Sequence, residues 1–339
     1  MVRAAHLSER GLADRQADLG RFFGLKICNV SIPLHLFKST KIPVQTTLGK
    51  SSQRVCGKRG RCNDLQHSFS ARTIILILHV TFLGNNFYLT VFNVNLTNMI
   101  PYWMSRTQLL LGDEATTQLM SKNVLVVGLG GVGGICAEMI ARAGVGKMTI
   151  VDGDTVDLSN GNRQIAALHS TEKQLKADVL AARLRDINPQ IALKVIAEFI
   201  KEERTVEIVA SGNYDFAVDC IDTLTPKVWL IKTCVDRKIP IVSSLGAGGK
   251  VDPSQIQVVD IADSYKCKLA RYVRKYLHKE GITTGVTVVF SPEEIDADKV
   301  VVTEKAFPKK SIIGTISYMP AIFGCLTAGV VIRHLYSKE

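Results

Sequence analysis

The sequence predicts an α/β fold in which helices cover both faces of an open, mainly parallel sheet, extended by an antiparallel section in the C-terminal third. Three observations predict this class. From Ser105 onward, short apolar runs alternate with segments of helical periodicity. The apolar run at 123–129, NVLVVGL, passes directly into a glycine-rich turn. After Gly249 the strand-like runs follow one another more closely, as expected of an antiparallel extension.

The predicted elements follow in order along the chain. The strands are predicted at 123–129, 147–152, 192–200, 215–222 and 239–247. The helices are predicted at about 133–143, 170–188, 203–210, 225–237 and 320–336. The second helix is expected to begin at the hydroxyl caps Ser170 and Thr171 and to stop before Pro189. Its apolar face comprises Leu175, Val179, Leu180, Leu184 and Ile187.

Residues 1–104 differ from the rest of the chain and are predicted to be an N-terminal extension of the domain at 105–339. The first hundred residues carry 13 Lys or Arg and 4 Asp or Glu, whereas the other 239 carry 29 and 27. The basic charge of the whole chain therefore says little about the partners of the domain. The tract at 49–63 has no core-forming pattern, so we expect either a disordered extension or a start site assigned too far upstream.

The eight cysteines include no C-x-x-C pair, which indicates a reduced, cytoplasmic protein rather than a disulfide scaffold. Cys56, Cys62 and His67 have a spacing that fits no common metal site. Four other cysteines lie in apolar segments and are expected to be small buried residues: Cys136, Cys220, Cys234 and Cys325.

Two apolar segments are long enough to be considered as membrane spans. Residues 73–92 are interrupted by Gly84, Asn85 and Asn86, and they predict two strand-like runs. Residues 312–332 are uncharged, but Pro320, the glycines and the hydroxyl residues are unfavourable in a lipid-facing helix. We therefore predict a buried helix that covers the sheet, with membrane association through 312–332 as the alternative. The N-terminus lacks the pattern of a secretory leader.

The glycine-rich turn predicts a Rossmann-like nucleotide site. Gly128, Gly130 and Gly133 form the pattern G-x-G-x-x-G between a buried strand and a helix. Glycine lets the backbone approach phosphate, and the helix N-terminus presents free N–H groups to it. Asp152 ends the following strand, where an acid binds ribose hydroxyls. This pattern alone leaves a nicotinamide cofactor and ATP equally open.

The next loop favours ATP. It contains Asn160, Asn162, Arg163 and Gln164, and Lys176 follows in the next predicted helix. Cleavage of a triphosphate at its α-phosphorus develops negative charge on the attacked group and on the leaving pyrophosphate, and cationic side chains stabilise that charge. A dehydrogenase that binds pyrophosphate through backbone amides has little use for them.

Asp222 lies at the carboxyl end of the fourth predicted strand, on the crevice side of the sheet. Its oxygens suit Mg²⁺, so Asp222 is a candidate metal ligand. Asp154 and Asp157 are interpreted as loop-solvating and turn residues.

Together these motifs resemble the ubiquitin-activating-enzyme-like superfamily, which includes the ThiF and MoeB adenylyltransferases. Longer stretches resemble its tRNA threonylcarbamoyladenosine dehydratase branch, among them RTQLLLGDEA, DCIDTLTPK and GAGGKVDPSQIQVVDIADS. The resemblance covers about 105–335 and does not extend to residues 1–100.

The resemblance implies an ATP-dependent reaction on tRNA. ATP would adenylate the threonyl carboxylate of threonylcarbamoyladenosine beside the anticodon, and a urea nitrogen would then close a ring with loss of AMP. The resemblance also implies catalytic roles for Arg163, Lys176 and Asp222, with Asp222 binding Mg²⁺. It further implies a homodimer in which the catalytic Arg106 of one subunit contacts the triphosphate bound by the other. The implied ATP-binding residues are Gly128, Gly130, Gly131, Gly133, Asp152, Asn160, Arg163, Gln164 and Lys176.

Two departures from the superfamily pattern bear on the mechanism. The zinc site of two C-x-x-C pairs, frequent in ThiF- and MoeB-like adenylyltransferases, is missing. Some members have a cysteine just before the V-F-S motif, where this chain has Thr287, Val288 and Val289. The absent cysteine favours direct cyclisation over a thiol intermediate, and a sulfur-transfer partner such as a cysteine desulfurase is an open alternative.

The segment at 266–281 predicts an amphipathic basic helix and a candidate tRNA surface. An ordinary solvated surface helix is the alternative interpretation. Tyr265, Tyr272 and Tyr276 are candidates for base stacking, but the latter two are expected to anchor the helix to the core. The candidate tRNA-binding residues are Lys266, Lys268, Arg271, Arg274 and Lys275.

Three other functions stay open at this point. An adenylyltransferase that activates the C-terminus of a ubiquitin-like sulfur carrier would share the ATP site. A nicotinamide-dependent oxidoreductase is disfavoured by Arg163 and Lys176. A non-catalytic nucleotide-binding scaffold is disfavoured because the phosphate and metal residues are all present.

Overall fold

The computed structural model describes residues 26–33, 73–83, 86–95, 100–302 and 311–337. The chain divides into two compact units, Met1–Met99 and Ile100–Glu339. In the first unit the described strands are β1 (Lys26–Pro33), β2 (Thr73–Leu83) and β3 (Asn86–Asn95). They form an antiparallel sheet of order β1-β3-β2.

Strands β2 and β3 confirm the two runs predicted within 73–92. Cys56, Cys62 and His67 lie outside the described residues.

The second unit is built on a seven-stranded sheet. Its strands are β4 (Asn123–Val127), β5 (Lys147–Val151), β6 (Ala192–Ile196), β7 (Phe216–Asp219), β8 (Ile241–Ser244), β9 (Gln257–Asp260) and β10 (Thr287–Phe290). Their order is β6-β5-β4-β7-β8-β10-β9, and only the β9–β10 pair is antiparallel. The predicted fold class, a mainly parallel sheet with an antiparallel C-terminal section, is confirmed.

A separate antiparallel pair, β11 (Val300–Val302) and β12 (Ser311–Ile313), lies outside this sheet. The described helices are α1 (Ser105–Ser121), α2 (Gly131–Arg142), α3 (Lys176–Ile187), α4 (Glu202–Ser211), α5 (Leu224–Asp236), α6 (Lys268–Lys279) and α7 (Tyr318–Tyr336). Helix α1 is kinked at Gly112, where φ is 82°.

Two hydrophobic cores lie on the two faces of the sheet. Val124 and Val126 of β4 belong to one core, with residues of α2, α3 and α7. Leu125 and Val127 belong to the other, with residues of α4, α5 and α6. Successive side chains of a strand point to opposite faces, so a strand covered on both sides is apolar throughout. This is why the predicted strands are continuous apolar runs.

The helix predicted to start at Ser170 begins instead at Lys176. The residues before it are bound to the loop that follows β5. The backbone N–H of Lys173 donates to the carbonyl of Val156 at 2.9 Å, and that of Lys176 donates to the carbonyl of Asp154 at 3.0 Å. These tertiary hydrogen bonds use backbone groups that a continuous helix would need.

Helix α7 covers one face of the sheet, as predicted, but it is only partly buried. It is the one helix among the described residues that is long and apolar enough to cross a membrane by length and composition, and 44% of its most apolar window is buried in the protein. A Cβ on Gly324 would lie 2.6 Å from the carbonyl oxygen of Val132, so α7 and α2 approach each other closely. Phe323 and Val331 are fully buried.

The expectation that four cysteines are buried is correct for two of them. Cys136 and Cys234 are fully buried, and burial raises the pKa of the Cys234 thiol to about 12. Cys220 is half-buried and Cys325 is exposed. Cys325 lies on α7, which is apolar on nearly all sides. Only part of this helix is buried, and Cys325 lies on the exposed part.

Candidate nucleotide site

The glycine-rich turn joins β4 to α2, and its glycines are required by backbone packing. Gly128 has a φ of +87°, and a Cβ there would lie 2.7 Å from the carbonyl oxygen of Cys220. A Cβ on Gly133 would lie 1.7 Å from the carbonyl oxygen of Gly128. Side chains are therefore excluded where the turn folds back on the start of the helix.

Helix α2 presents its first turn to this site. The N-cap residue is Gly130, which has no side chain to accept hydrogen bonds from the first N–H groups of α2. These N–H groups lie at the positive end of the helix, which suits phosphate. A Cβ on Gly131 would lie 2.9 Å from the Cβ of Pro320 and 3.2 Å from the carbonyl oxygen of Arg163. The first residue of α2 thus lies between the start of α7 and the polar loop that carries Arg163.

Asp152 follows the last residue of β5 and is bound to the glycine-rich turn. The backbone N–H of Leu129 donates to its Oδ2 at 2.6 Å, and that of Asp154 donates to its Oδ1 at 2.8 Å. Burial raises the pKa of Asp152, and these two hydrogen bonds oppose the rise. Each carboxylate oxygen keeps a lone pair after accepting one bond, so the group retains capacity for ribose hydroxyls.

Lys176 is the first residue of α3 and is only 5% exposed. Its ammonium contacts Oδ2 of Asp154 at 2.9 Å. The interpretation of Asp154 as a loop-solvating residue is therefore wrong, because it is the counter-ion of a buried lysine. Asp157 does serve the turn, since it accepts the backbone N–H of Ser159 at 2.8 Å.

Arg163 is half-buried and lies in the loop between β5 and α3. Its Nη1 donates to the carbonyl oxygen of Ser159 at 2.9 Å and to Oδ1 of Asn162 at 2.8 Å. Asn162 in turn donates to the carbonyl oxygen of Thr315 at 2.9 Å. Asn160 is half-buried and makes one long contact, 3.5 Å, with the hydroxyl of Ser159. The loop thus brings three of the predicted polar residues together.

Gln164 carries an unpaired buried oxygen. Within the described part of the chain, its Oε1 is the only buried side-chain nitrogen or oxygen without a hydrogen-bond partner. Its Nε2 would lie 3.7 Å from a Cβ on Gly130, so the amide lies beside the glycine-rich turn. Buried polar atoms are almost always hydrogen-bonded, and this amide therefore fits a site that a polar ligand completes.

Asp222 is exposed and lies three residues beyond β7, which ends at Asp219. The predicted strand at 215–222 is thus too long at its carboxyl end, because Asp219 turns its carboxylate to the following backbone. Oδ1 of Asp219 accepts the N–H of Ile221 at 3.0 Å. Among the residues that the structure describes, no group of three or more His, Cys, Asp or Glu is placed to bind a metal.

The buried ion pair of Asp219 and Lys227 was not predicted from the sequence. Lys227 and Asp219 are both fully buried, and the distance from Nζ to Oδ2 is 2.6 Å. The signal available in the sequence was a lysine within a predicted helix, five residues after the D-x-x-D motif.

Arg106 lies on α1 and is exposed. Two apolar side chains on the same helix, Leu109 and Leu110, are 80% and 82% exposed. The first turns of α1 therefore present an arginine beside apolar surface, on residues that precede the kink at Gly112.

Helix α6 confirms the amphipathic basic helix predicted at 266–281. Its buried residues are Ala270, Val273 and Leu277. The expectation that Tyr272 and Tyr276 anchor it to the core is wrong, since they are 43% and 44% exposed. Three buried residues at i, i+3 and i+7 suffice to pack the helix, and the tyrosines flank this face.

The candidate tRNA-binding residues differ in their surroundings. Lys268, Arg271 and Lys275 are exposed on α6, and the guanidinium of Arg271 lies 5.2 Å from the ring centroid of Tyr272. Arg274 donates to the backbone oxygen and the hydroxyl of Ser264, so its guanidinium is engaged within the protein. Lys266 pairs with Glu294 at 3.1 Å.

Comparison with known proteins agrees with this architecture. A tRNA threonylcarbamoyladenosine dehydratase of Bacillus subtilis (strain 168) is 39% identical over 238 residues, which are 68% of this chain and 93% of that protein. The enzyme of the same name from Escherichia coli (strain K12) is 35% identical over 256 residues, 70% of this chain and 95% of that protein.

Among solved structures, the E. coli tRNA N6-threonylcarbamoyladenosine dehydratase in complex with ATP superimposes with a TM-score of 0.61 at 34% identity, covering 68% of this chain and 93% of that one. The profile of the ThiF family matches residues 104–339. The chain described here therefore belongs to the ThiF family.

Proposed function

We propose that this protein is an ATP-dependent tRNA threonylcarbamoyladenosine dehydratase. The observation that carries the proposal is the unpaired buried oxygen of Gln164 beside a glycine turn that backbone packing keeps free of side chains. Asp152 accepts a hydrogen bond from this turn, the carbonyl oxygen of Arg163 lies beside its Gly131, and Lys176 pairs with Asp154, two residues after Asp152. The names of the relatives supply the substrate class, a tRNA nucleoside that carries a carboxylate.

ATP fits the residues at this edge of the sheet. The N–H groups at the start of α2 would receive the phosphates, and the carboxylate of Asp152 would receive the ribose hydroxyls. Asn160 would donate a hydrogen bond to the phosphates, and Arg163 and Lys176 would neutralise their charge. Lys176 is paired with a carboxylate in this structure, and an anionic ligand would compete with Asp154 for its ammonium.

Mg²⁺ is proposed to bind at Asp222. A single carboxylate is sufficient because Mg²⁺ in nucleotide sites takes most of its oxygen ligands from phosphates and water. When bound, the ion would neutralise charge on the triphosphate and on the departing pyrophosphate.

The reaction consists of two substitutions. A carboxylate oxygen of the threonyl group attacks the α-phosphorus of ATP, and the bond to the β-phosphate oxygen breaks with release of pyrophosphate. A urea nitrogen then attacks the activated carbonyl carbon, the bond to AMP breaks, and the nitrogen loses its proton. The net change is loss of one water, and Arg163 and Lys176 would stabilise the negative charge of the first step.

The tRNA is proposed to contact α6. Lys268, Arg271 and Lys275 are exposed cations on one helix, and Tyr272 and Tyr276 add stacking surface beside them. Exposed aromatic and basic side chains in alternation are typical of surfaces that bind single-stranded loops of RNA. We retain Lys266 and Arg274 as weaker candidates because both already have partners.

The active assembly is proposed to be a cytoplasmic homodimer. Arg106 and the apolar Leu109 and Leu110 form an exposed surface on α1 that suits a contact with a second copy. Arg106 would then reach the triphosphate of the partner subunit. A cysteine-desulfurase partner is not needed for the chemistry above, because each step is complete without sulfur.

The proposed function is tested by mass analysis of tRNA that carries threonylcarbamoyladenosine, after incubation with the protein, ATP and MgCl₂. Nucleosides are released under mild conditions, and AMP is measured in parallel. The expected result is an ATP-dependent loss of the mass of one water from the modified nucleoside. An unchanged nucleoside, together with ATP–pyrophosphate exchange that requires a ubiquitin-like protein, would replace this function by the adenylyltransferase alternative.

A further inference from the structure

The buried pair of Asp219 and Lys227 is a complete hydrogen-bonded network. The ammonium of Lys227 donates to Oδ2 of Asp219 at 2.6 Å, to the hydroxyl of Ser243 at 3.1 Å and to the carbonyl oxygen of Ser244 at 2.9 Å. The hydroxyl of Ser243 donates to the same Oδ2 at 2.6 Å. All three N–H donors of the lysine are therefore used, and both charged side chains are 0% exposed.

This network joins three segments at the carboxyl edge of the sheet. Asp219 is the last residue of β7, Lys227 lies in the first turn of α5, and Ser243 lies near the end of β8. The segment between Asp219 and α5 is the loop 220–223, which contains Asp222. The network therefore lies directly beneath the loop that carries the proposed Mg²⁺ ligand.

The loop is bound on both sides. On one side, the N–H of Ile221 donates to Oδ1 of Asp219 at 3.0 Å. On the other, the N–H of Cys220 donates to the carbonyl of Val127 at 2.8 Å, and its own carbonyl lies against Gly128. Cys220 thus holds the start of the loop against the glycine-rich turn, and the carboxylate of Asp219 orients the next peptide unit, which leads to Asp222.

Stability alone does not account for an ion pair in this position. Removing two charges from water is costly, and well-packed apolar residues of similar volume often serve as well or better in protein interiors. What apolar residues cannot supply is a directional acceptor for the N–H of Ile221. The specific contribution of the pair is therefore the geometry of the loop.

We propose that Asp219 and Lys227 are positioning residues of the ATP site, which orient loop 220–223 so that Asp222 meets the metal–phosphate group in one fixed position. Lys227 acts by fixing the carboxylate of Asp219, and Asp219 acts through the N–H of Ile221. The proposal rests on the proposed function, since it concerns Asp222 as a Mg²⁺ ligand.

The test compares ATP binding with and without MgCl₂ by titration calorimetry in the full chain. The main variant is Asp219→Leu combined with Lys227→Met, which removes both charges together. We expect its ATP affinity without Mg²⁺ to stay within about twofold of the wild type, while the gain in affinity from Mg²⁺ falls about tenfold, equal to about 1.4 kcal/mol. We also expect kcat for AMP release to fall more than KM for ATP rises.

A second variant covers the case in which the double variant fails to fold. Ser243→Ala removes one hydroxyl from the network and leaves both charges paired, and it should lower the Mg²⁺-dependent gain two- to threefold, by about 0.5 kcal/mol. The control is Tyr214→Phe, which removes a buried hydrogen bond to Thr149 of β5; Tyr214 precedes β7, at the end of that strand opposite Asp219. It should leave the Mg²⁺-dependent gain unchanged.

A folded double variant, or a folded Ser243→Ala variant, with the wild-type Mg²⁺-dependent gain would overturn the proposal. So would a wild-type protein whose ATP affinity does not depend on Mg²⁺. Failure of the proposed function has a different signature, because nucleotide binding needs no tRNA. It would leave the Mg²⁺-coupled binding intact in the wild type and abolish only the dehydration of the nucleoside.

Discussion

The backbone N–H of Leu129 lies 2.6 Å from Oδ2 of Asp152 and donates to it. This bond joins the glycine-rich turn to the end of β5. The second oxygen of the same carboxylate accepts the N–H of Asp154, whose side chain pairs with Lys176. One carboxylate therefore connects the glycine-rich turn, the proposed ribose position and, through Asp154, the buried lysine.

Asp152→Asn should weaken ATP binding about 10- to 100-fold. An amide has one oxygen that can accept a hydrogen bond, so one of the two N–H donors now faces an NH₂ group. The amide also offers a ribose hydroxyl a neutral acceptor instead of a charged one, and losing a hydrogen bond to a charged group costs about 1.5–3 kcal/mol, which sets this range. The measurement is titration calorimetry with ATP. Asp186→Asn on the exposed side of α3 is the control, and equal affinities for the two variants would contradict the prediction.

Gly133→Ala should destabilise the protein by about 3 kcal/mol, because the new Cβ would lie 1.7 Å from a backbone oxygen that cannot move freely. Gly329→Ala is the matched control. It lies in α7 with nothing within 4 Å of the new Cβ, and it should stabilise the helix by about 0.5–1 kcal/mol. Urea unfolding measures both. A Gly133→Ala protein as stable as the wild type would contradict the close contact between Gly133 and the carbonyl oxygen of Gly128.

Arg163→Ala should lower the rate of AMP formation about 10²- to 10³-fold, the usual effect of losing one preorganised donor to a developing negative charge. Arg163→Lys should recover only part of this rate, since an ammonium cannot reproduce the guanidinium fork that Asn162 and Ser159 orient. The rate is measured on tRNA carrying the modified nucleoside. Arg185→Ala, an exposed change on α3, should keep the wild-type rate.

Glu138→Gln should reduce stability at pH 7 by about 2 kcal/mol and flatten its dependence on acid pH. Burial raises the pKa of Glu138, but hydrogen bonds from Arg183 and Arg142 outweigh burial, and the pKa is lowered overall. An acid whose pKa is lower in the folded chain adds stability above its unfolded pKa, about 4.3. That stability is lost as the pH falls through the folded value.

Urea unfolding at pH 7 and at about pH 3 tests the Glu138 prediction, because the difference between wild type and variant should shrink at the lower pH. Glu207→Gln is the control, since Glu207 pairs with Arg204 on the exposed face of α4. Solvent screens an exposed pair of this kind, so the Glu207 variant should stay close to the wild type at both pH values. A constant difference at both pH values would mean that Glu138 is not a charged partner of the arginines.

Replacing Lys268, Arg271 and Lys275 together by Gln should weaken tRNA binding and make it less sensitive to salt. Each lost phosphate contact lowers the slope of log affinity against log salt by about 1. The control replaces three exposed lysines at the other edge of the sheet, Lys147, Lys194 and Lys201, and so matches the loss of charge. If the slope of log affinity against log salt is the same for the two triple variants, α6 is an ordinary solvated helix and not a tRNA contact.

The local features of the site could be predicted from the sequence. The turn at Gly128–Gly133 and the strands on either side depend on short-range rules: apolar runs form buried strands, and glycine is needed where backbones touch. The same rules identified Asp152 and the loop around Arg163, because a parallel sheet brings the ends of its strands to one edge. The basic helix at 266–281 followed from its periodicity in the same way.

The tertiary structure decided how residues far apart in the chain are paired. Lys176 begins a helix rather than lying inside one because the backbone before it binds the loop after β5. Asp219 and Lys227 form a buried pair only because β7, α5 and β8 meet there. Tyr272 and Tyr276 are exposed because three smaller contacts suffice to pack α6. Periodicity reveals which face of an element is apolar, but the partner of each polar group is set by long-range packing, which no local pattern contains.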